Sequence, residues 1–440
     1  MPHDLKLVEI CRTLVNPRVG LFRKIVDIPK AKGASDIYLS VVETVDPHYF
    51  RSLDHKGGSN PLTAAGAGLT RSEALWSALG EATERFTASL CADGESIVGR
   101  YSDLKDRAVD PADFIAYTPE QYSEDNFPFE PHAADVERRW TWSTDLLSQE
   151  CKLVPAQLVW LGLECQNRSE RLRESVSSGL ACGPSPLHCA HSALCEVIER
   201  DAFMTTWLLR RPPLKFLVND GLLNGVDAGL EPLLRHPHLA TDLRLIKTDL
   251  SAPAVLALVG PRRGGRRVVG AATHPDLATA IRKATIEAHH TWAWSLHLRV
   301  KIETKPADKI DSFADHVRFY LEPENQHYLA FLDNGPIVDA TWSRPADDAE
   351  LELRHMLEDL ARLGYRAFFC DLTTGDIASV GLHVGRVLVP GLHPLSCGPR
   401  FNCLDDRRLR RVADHWKIPP GYTFNLHPHP RPIRSDEYDV

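Results

Sequence analysis

SALGEATER, Ser77 to Arg85, and SALCEVIER, Ser192 to Arg200, are two copies of one pattern, S-A-L-x-E-x-x-E-R. Six of the nine positions recur, and a Gly-Leu pair precedes each copy, Gly68-Leu69 and Gly179-Leu180. Three-residue spacing puts Glu81 and Glu84 on one helix face, and Glu196 and Glu199 likewise. A solitary E-x-x-E-R describes any solvated acidic face. Repetition argues for more, because packing alone would preserve the apolar stripe and let the carboxylates drift. Two such helices meeting in one cleft bring four carboxylates together with Arg85 and Arg200. That much negative charge shares a dry site only around a cation. The expectation is a divalent metal, Mg²⁺ carrying a phosphorylated ligand.

Around the first copy, SEALWSALGEATERFTASL reads as an amphipathic helix with Leu75, Leu79, Ala82 and Phe86 as its apolar stripe. Thr70 or Ser72 is its expected cap. The preceding SNPLTAAGAGL reads as a small-residue loop, whose Gly66-Ala67-Gly68 could bring backbone N–H groups to a phosphate. Ahead of the second copy, LVPAQLVWLGL reads as a strand, and the second helix runs on through RDAFMTTWLLR. Downstream, LRLIKTDL, APAVLALVG and RRVVGAAT are strand-like, the last two flanking a PRRGG hairpin turn. A third helix, DLATAIRKATIEAHHTWAWSLHL, follows, and then helix ELRHMLEDLARLG and strands YRAFFCDL and HVGRVLVPGL. The fold class is therefore α/β, with mixed sheets packed against helices. Residues 101–150 read as a loop-rich connection and 301–350 as an exposed insertion or subdomain edge. The end, NLHPHPRPIRSDEYDV, reads as an unpacked Pro-rich tail. This divides the chain into a strand-rich segment over 1–60, a core over 61–420 and a tail over 421–440.

The 440 residues are 43% hydrophobic and carry a net charge of −8, so a large core is available and no basic excess points to nucleic acid. No apolar run spans a bilayer, and the start lacks a signal-peptide cleavage site, so the expected location is cytoplasmic. Ten cysteines without a C-x-x-C read as reduced thiols and exclude a disulfide frame or zinc site. Among 20 histidines there is no H-E-x-x-H spacing, and His289-His290 and the tail histidines read as surface or local polar contacts. Neither G-x-x-x-x-G-K-[ST] nor G-x-S-x-G occurs.

Taken together, Gly66-Ala67-Gly68-Leu69-Thr70 with SALGEATER, and SSGLACG with SALCEVIERDAF, resemble the YcaO family. Further matches run from LVNPRVGL through VVGAATHPDLATAIRKATIEA to GRVLVPGLHPL, nearly the whole chain. The resemblance implies a YcaO-like fold with a duplicated sheet-helix ATP-binding arrangement, and ATP bound without a Walker motif. By carry-over, Glu81, Glu84, Glu196 and Glu199 hold Mg²⁺ and, with Arg200, form the catalytic set. Ser77, Arg85, Arg200, Arg282 and Glu287 would bind ATP. Pro428, Pro430 and Pro432 resemble the P-x-P-x-P ending of azoline-forming members, which positions catalytic groups.

The implied activity is cyclodehydration of Cys, Ser or Thr in a ribosomally made precursor peptide to thiazoline or oxazoline, through phosphorylation of the amide oxygen. It implies a separate leader-binding partner subunit, a flavin dehydrogenase and an oligomeric complex. Departures from the family pattern fall at Ala67, where Lys is frequent, at Pro184 and His188, and at His290 and Trp292. Two alternatives stay open: a thioamide- or amidine-forming enzyme, and a non-catalytic scaffold of the same fold.

Overall fold

The structure is a computed structural model. It describes residues 3–47, 62–91, 96–114, 117–161, 163–298, 305–310, 312–340, 342, 348–404 and 406–430. Strands β1 (Phe22–Asp27), β2 (Tyr38–Thr44) and β3 (Thr63–Gly68) form an antiparallel sheet. A second sheet holds β4 (Ile97–Arg100), β5 (Glu137–Asp145), β6 (Cys151–Pro155), β7 (Leu180–Gly183), β13 (Phe368–Asp371) and β14 (His383–Leu388). Its order is β4-β5-β13-β14-β7, with β6 on β5. The third contains β8 (Leu214–Phe216), β9 (Leu239–Ile246), β10 (Ala254–Pro261), β11 (Val268–Thr273) and β12 (Ile337–Val338), in the order β11-β10-β9-β8-β12.

After α1 (His3–Leu14), the two repeat copies lie on α2 (Arg71–Ala88) and α3 (Pro186–Leu208). Thr70 caps α2, its hydroxyl accepting from Glu73 N at 3.2 Å, while Ser185 caps α3 with Pro186 in the first turn. The third predicted helix is α4 (Leu277–Leu298). A strand leads straight into each: β3 into α2, β7 into α3 and β11 into α4. Each helix lies on its own strand and reaches the next one, α2 touching β7, α3 touching β11 and α4 touching β3. The repeat thus marks two members of a ring of three strand-helix units.

The small-residue segment before α2 is strand β3, paired with β2, and not a loop. Its composition follows from the closeness of α2. A Cβ at Gly66 would sit 2.1 Å from Ala78 N, and one at Gly270 of β11 would sit 2.2 Å from Ala288 N. Both approaches are to helix backbone, which no rotamer change relieves. Gly66→Ala is expected to cost more than the ~1–3 kcal/mol usual for overpacking, read as a fall in the thermal unfolding midpoint.

Three other stretches depart from expectation. Residues 101–150 contain the nine-residue β5, whose Trp140 is wholly buried. Residues 301–350 carry α5 (Phe313–Leu321), whose Val317, Tyr320 and Leu321 are core residues, as are Leu329, Phe331 and Leu332 beyond it. The strand read at LVPAQLVWLGL stops at Pro155 and gives way to a short helical turn. Helices α6 (Ala349–Arg362) and α7 (Asp406–His415) complete the fold.

The Pro-rich end is packed through residue 430. Pro428, His429 and Pro430 are buried. Trp207 Nε1 donates to His427 O at 3.0 Å, Asn425 N to Leu208 O at 2.8 Å, and Tyr320 hydroxyl to Pro428 O. These satisfy carbonyls that a solvated polyproline segment would leave to water. Burial also corrects the surface reading of the histidines. His289 lies between Thr241 Oγ1 at 2.9 Å and Ser35 Oγ at 2.8 Å, and His429 has no exposed surface.

Candidate functional site

Helices α2, α3 and α4 enclose a cleft of about 680 Å³. Glu81 and Glu84 enter it from α2, and Glu196, Glu199 and Arg200 from α3. Ser77, Arg282 and Glu287 also line it. The four motif carboxylates therefore share one wall, as the i, i+3 spacing requires once both helices face the same space. Arg85 does not line the cleft. It folds back on its own motif, with Nε 3.0 Å from Glu81 Oε1. Arg200 does the same from within the cleft, 3.5 Å from Glu196 and 3.0 Å from Glu199. Each motif Arg so steadies the first Glu of its copy through an i, i+4 pair.

Backbone contacts aim two of the acids. Glu84 Oε1 accepts from Cys182 N on β7 at 2.9 Å, so α2 is tied to the strand of the next unit. Glu287 Oε2 accepts from Ala271 N on β11 at 3.0 Å. Arg282 spans the rim, 2.8 Å from Glu73 and 3.2 Å from Asp227. Lys283 and Trp76, which no motif singles out, also line the cleft, as does His290, one of the departures from the family pattern. Lys283 stands one residue after Arg282 and supplies a cation to a cleft in which position 67 is Ala. Burial pushes His290 down to about 4, so it presents a neutral imidazole; of the two readings from sequence, surface group or local polar contact, burial removes the first.

The cleft thiols are held protonated. Burial raises Cys195 to about 12, and burial with the Glu84 carboxylate raises Cys182 well above the usual thiol range. Neither is a nucleophile near neutral pH. None of the ten cysteines, all among the described residues, is in a disulfide.

Pro184 and His188 flank the cap of α3: Ser185 Oγ lies 2.8 Å from His188 Nδ1 and accepts from His188 N. Neither residue lines the cleft. The tail comes closer. His429 packs edge-on against Phe203 with ring centroids 5.7 Å apart, and Phe203 stands one helical turn beyond Glu199. Pro432 lies outside the described residues.

Arg85 pairs with Glu81, and Arg200 with both Glu196 and Glu199. Side-chain exposure is only 14% at Glu81, 5% at Glu196 and 10% at Glu199. Desolvated carboxylate oxygens gathered in one cleft suit a hard divalent ion with oxygen ligands, and the donor set fits Mg²⁺. Among the described residues no helix is long and apolar enough to cross a membrane.

The chain is 27% identical over 355 residues to an uncharacterised protein of Methanothermobacter thermautotrophicus, covering 76% of this chain and 82% of that one. Over 160 residues it is 32% identical to an uncharacterised protein in the tfuA 3′ region of Rhizobium leguminosarum bv. trifolii, covering 34% of this chain and 37% of that one. Its fold is similar to a heterocyclase solved in complex with substrate and cofactor, at a TM-score of 0.77 and 21% identity. That likeness covers 98% of this chain but 57% of the heterocyclase, so the chain spans little more than half of its length. The YcaO of Methanopyrus kandleri, bound with AMPPCP and Mg²⁺, matches at a TM-score of 0.65 and 20% identity, over 91% of this chain and 94% of that one. Residues 65–393, which hold both repeat copies and the cleft, match the family described as YcaO cyclodehydratase, ATP- and Mg²⁺-binding. The chain belongs to this family of ATP- and Mg²⁺-dependent cyclodehydratases.

Proposed function

We propose that the chain activates backbone amides of a ribosomally made precursor peptide for ring closure to thiazoline or oxazoline. The observation that carries this is the convergence of Glu81, Glu84, Glu196 and Glu199 on one wall of the cleft, with Arg200 among them. The four carboxylates would hold Mg²⁺, which when bound neutralises charge on the transferring phosphoryl group. Arg200 fixes Glu196 and Glu199 in place and offers a second counter-charge. Arg282, Ser77 and Glu287 are proposed to contact the nucleotide.

In the proposed chemistry a Cys, Ser or Thr side chain of the peptide adds to the preceding carbonyl carbon and loses its proton. The oxyanion so formed takes the γ-phosphoryl group of ATP, leaving ADP. The ring nitrogen then loses its proton as the C=N bond forms and phosphate departs with the former amide oxygen. No side chain of the protein becomes covalently attached, in keeping with the protonated state of Cys182 and Cys195.

The docked tail favours the azoline reading, because Pro428 and Pro430 are buried and His429 between them packs on Phe203, one helical turn along α3 from Glu199. A separate leader-binding subunit, with a flavin dehydrogenase for later oxidation, is proposed as the partner set. Of similar solved structures, one is the E. coli microcin synthetase McbBCD complex, matched at a TM-score of 0.59 and 15% identity over 86% of this chain.

A second reading, thioamide formation, draws on the relative found in the tfuA 3′ region. Peptide mass separates the two. Incubation with Mg²⁺-ATP, partner and peptide is expected to remove one water per ring; exchange of oxygen for sulfur in place of that loss would overturn the azoline reading. Absence of saturable Mg²⁺-ATP binding by calorimetry, with and without partner, would sink both and leave the scaffold.

A further inference from the structure

Beside the carboxylate cleft, and outside its lining, three metal-ligating side chains converge from three separate elements. His191 comes from α3, His274 from the turn between β11 and α4, and Glu352 from the first turn of α6. One ligand atom from each lies within 4.8 Å of the others. His191 Nε2 stands 2.8 Å and His274 Nε2 3.9 Å from the same Glu352 oxygen, and the imidazole centroids are 5.2 Å apart.

Mutual hydrogen bonding does not account for this grouping. Although His191 Nε2 is near Glu352, it makes no properly directed hydrogen bond there. The His274 separation of 3.9 Å is too long for one. His191 and Glu352 are buried, and His274 keeps 16% of its side chain exposed, which opens the group to solvent on one side. We propose that His191, His274 and Glu352 form a binding site for a divalent ion of the Zn²⁺ class, distinct from the carboxylate cleft.

Two imidazole nitrogens and one carboxylate oxygen are a donor set for tetrahedral Zn²⁺ with water in the fourth position, whereas Mg²⁺ requires oxygen ligands. Ligation takes each imidazole in its neutral form. One local change accompanies loading. His274 Nδ1 accepts from Asp276 N at 3.0 Å, which leaves the ring proton on Nε2. Ligation through Nε2 moves that proton to Nδ1, with no net proton released, and the Asp276 amide lets go. The ion would then pin α6 and the β11-α4 turn to the helix that carries Glu196 and Glu199.

The test uses the full chain, stripped with chelator and held in saturating Mg²⁺-ATP so that the carboxylate cleft is filled. Titration with Zn²⁺ is expected to show one ion per chain by calorimetry, and Co²⁺ in its place should give the visible absorption of a tetrahedral site. Either His191→Ala or Glu352→Gln should weaken Zn²⁺ binding beyond the ~10–100-fold typical of outer-sphere changes. Mg²⁺-ATP affinity should not move. If His191→Ala fails to fold, His274→Ala tests the same point at a more exposed position. Absence of stoichiometric Zn²⁺ binding by the folded chain, or unchanged binding in the substituted chains, overturns the proposal.

Discussion

Glu199→Gln is expected to lower peptide-dependent phosphate release by about 10²–10³-fold, the usual cost of removing one group that stabilises transition-state charge. Glu199 is the second acid of the second copy, on α3, and it lies 3.0 Å from Arg200. Gln keeps the volume and removes one negative charge. Arg200 retains Glu196 at 3.5 Å, so the guanidinium is not stranded. Taking one charge from a set of four like charges also relieves repulsion. The thermal unfolding midpoint should therefore stay level or rise while activity collapses. Phosphate release at saturating ATP, measured beside a melting curve, checks both halves. Full turnover in the Gln form would remove Glu199 from the proposed site.

Arg408→Met is expected to cost about 3–5 kcal/mol, the range for stranding the partner of a buried ion pair. Arg408, on α7, forks onto Asp201 with Nη2 at 2.6 Å and Nε at 2.9 Å, and reaches Asp249 through Nη1 at 2.8 Å. Arg408 and Asp249 are nearly inaccessible, and Asp201 is wholly so. Asp201 follows Arg200 directly and also accepts from His393 N at 3.0 Å. Loss of the guanidinium leaves two buried carboxylates together.

The sign with pH is fixed. Burial alone would push Asp249 up, but the hydrogen bond and charge of Arg408 outweigh it and hold Asp249 below the usual carboxylate range. Its contribution is complete above the ordinary aspartate value of ~3.9 and fades as pH falls through the lowered native value. Without Arg408 the stranded acids protonate more readily, so the gap between parent and Met form should narrow on acidification. Urea unfolding at neutral and mildly acidic pH measures it; a loss under about 1 kcal/mol at neutral pH, in the range of exposed pairs, contradicts this reading.

Much of the site was legible because it is built from local periodicity. The i, i+3 acids, the Thr70 cap and the β10-β11 hairpin depend on neighbours within a turn or two, and all are present. What escaped depends on elements far apart in sequence. Ala- and Gly-rich β3 carries little strand propensity of its own and is a strand because α2 presses on it and β2 pairs with it. The family resemblance implies that Arg85 orients phosphate or the motif carboxylates; its guanidinium turns to Glu81, and of the two motif arginines Arg200 lines the cleft. Lys283 has no motif of its own and joins the cleft through the packing of α4 against the other two helices. The His191, His274 and Glu352 group has no motif, since its members are brought together by three elements.

The packed tail changes how deletion experiments on this chain are to be interpreted. Cutting before Asn425 removes more than the proline motif. It uncaps Leu208 O, orphans the indole N–H of Trp207 and the hydroxyl of Tyr320, and takes an acceptor from His316 Nδ1, which lies 2.7 Å from His429 O. Each buried polar group left without a partner costs about 1–3 kcal/mol. A truncated chain would be inactive whether or not the tail takes part in chemistry, because it would have lost part of its interior. Single substitutions at Pro428 or Pro430 keep the segment and are the informative genetic probe.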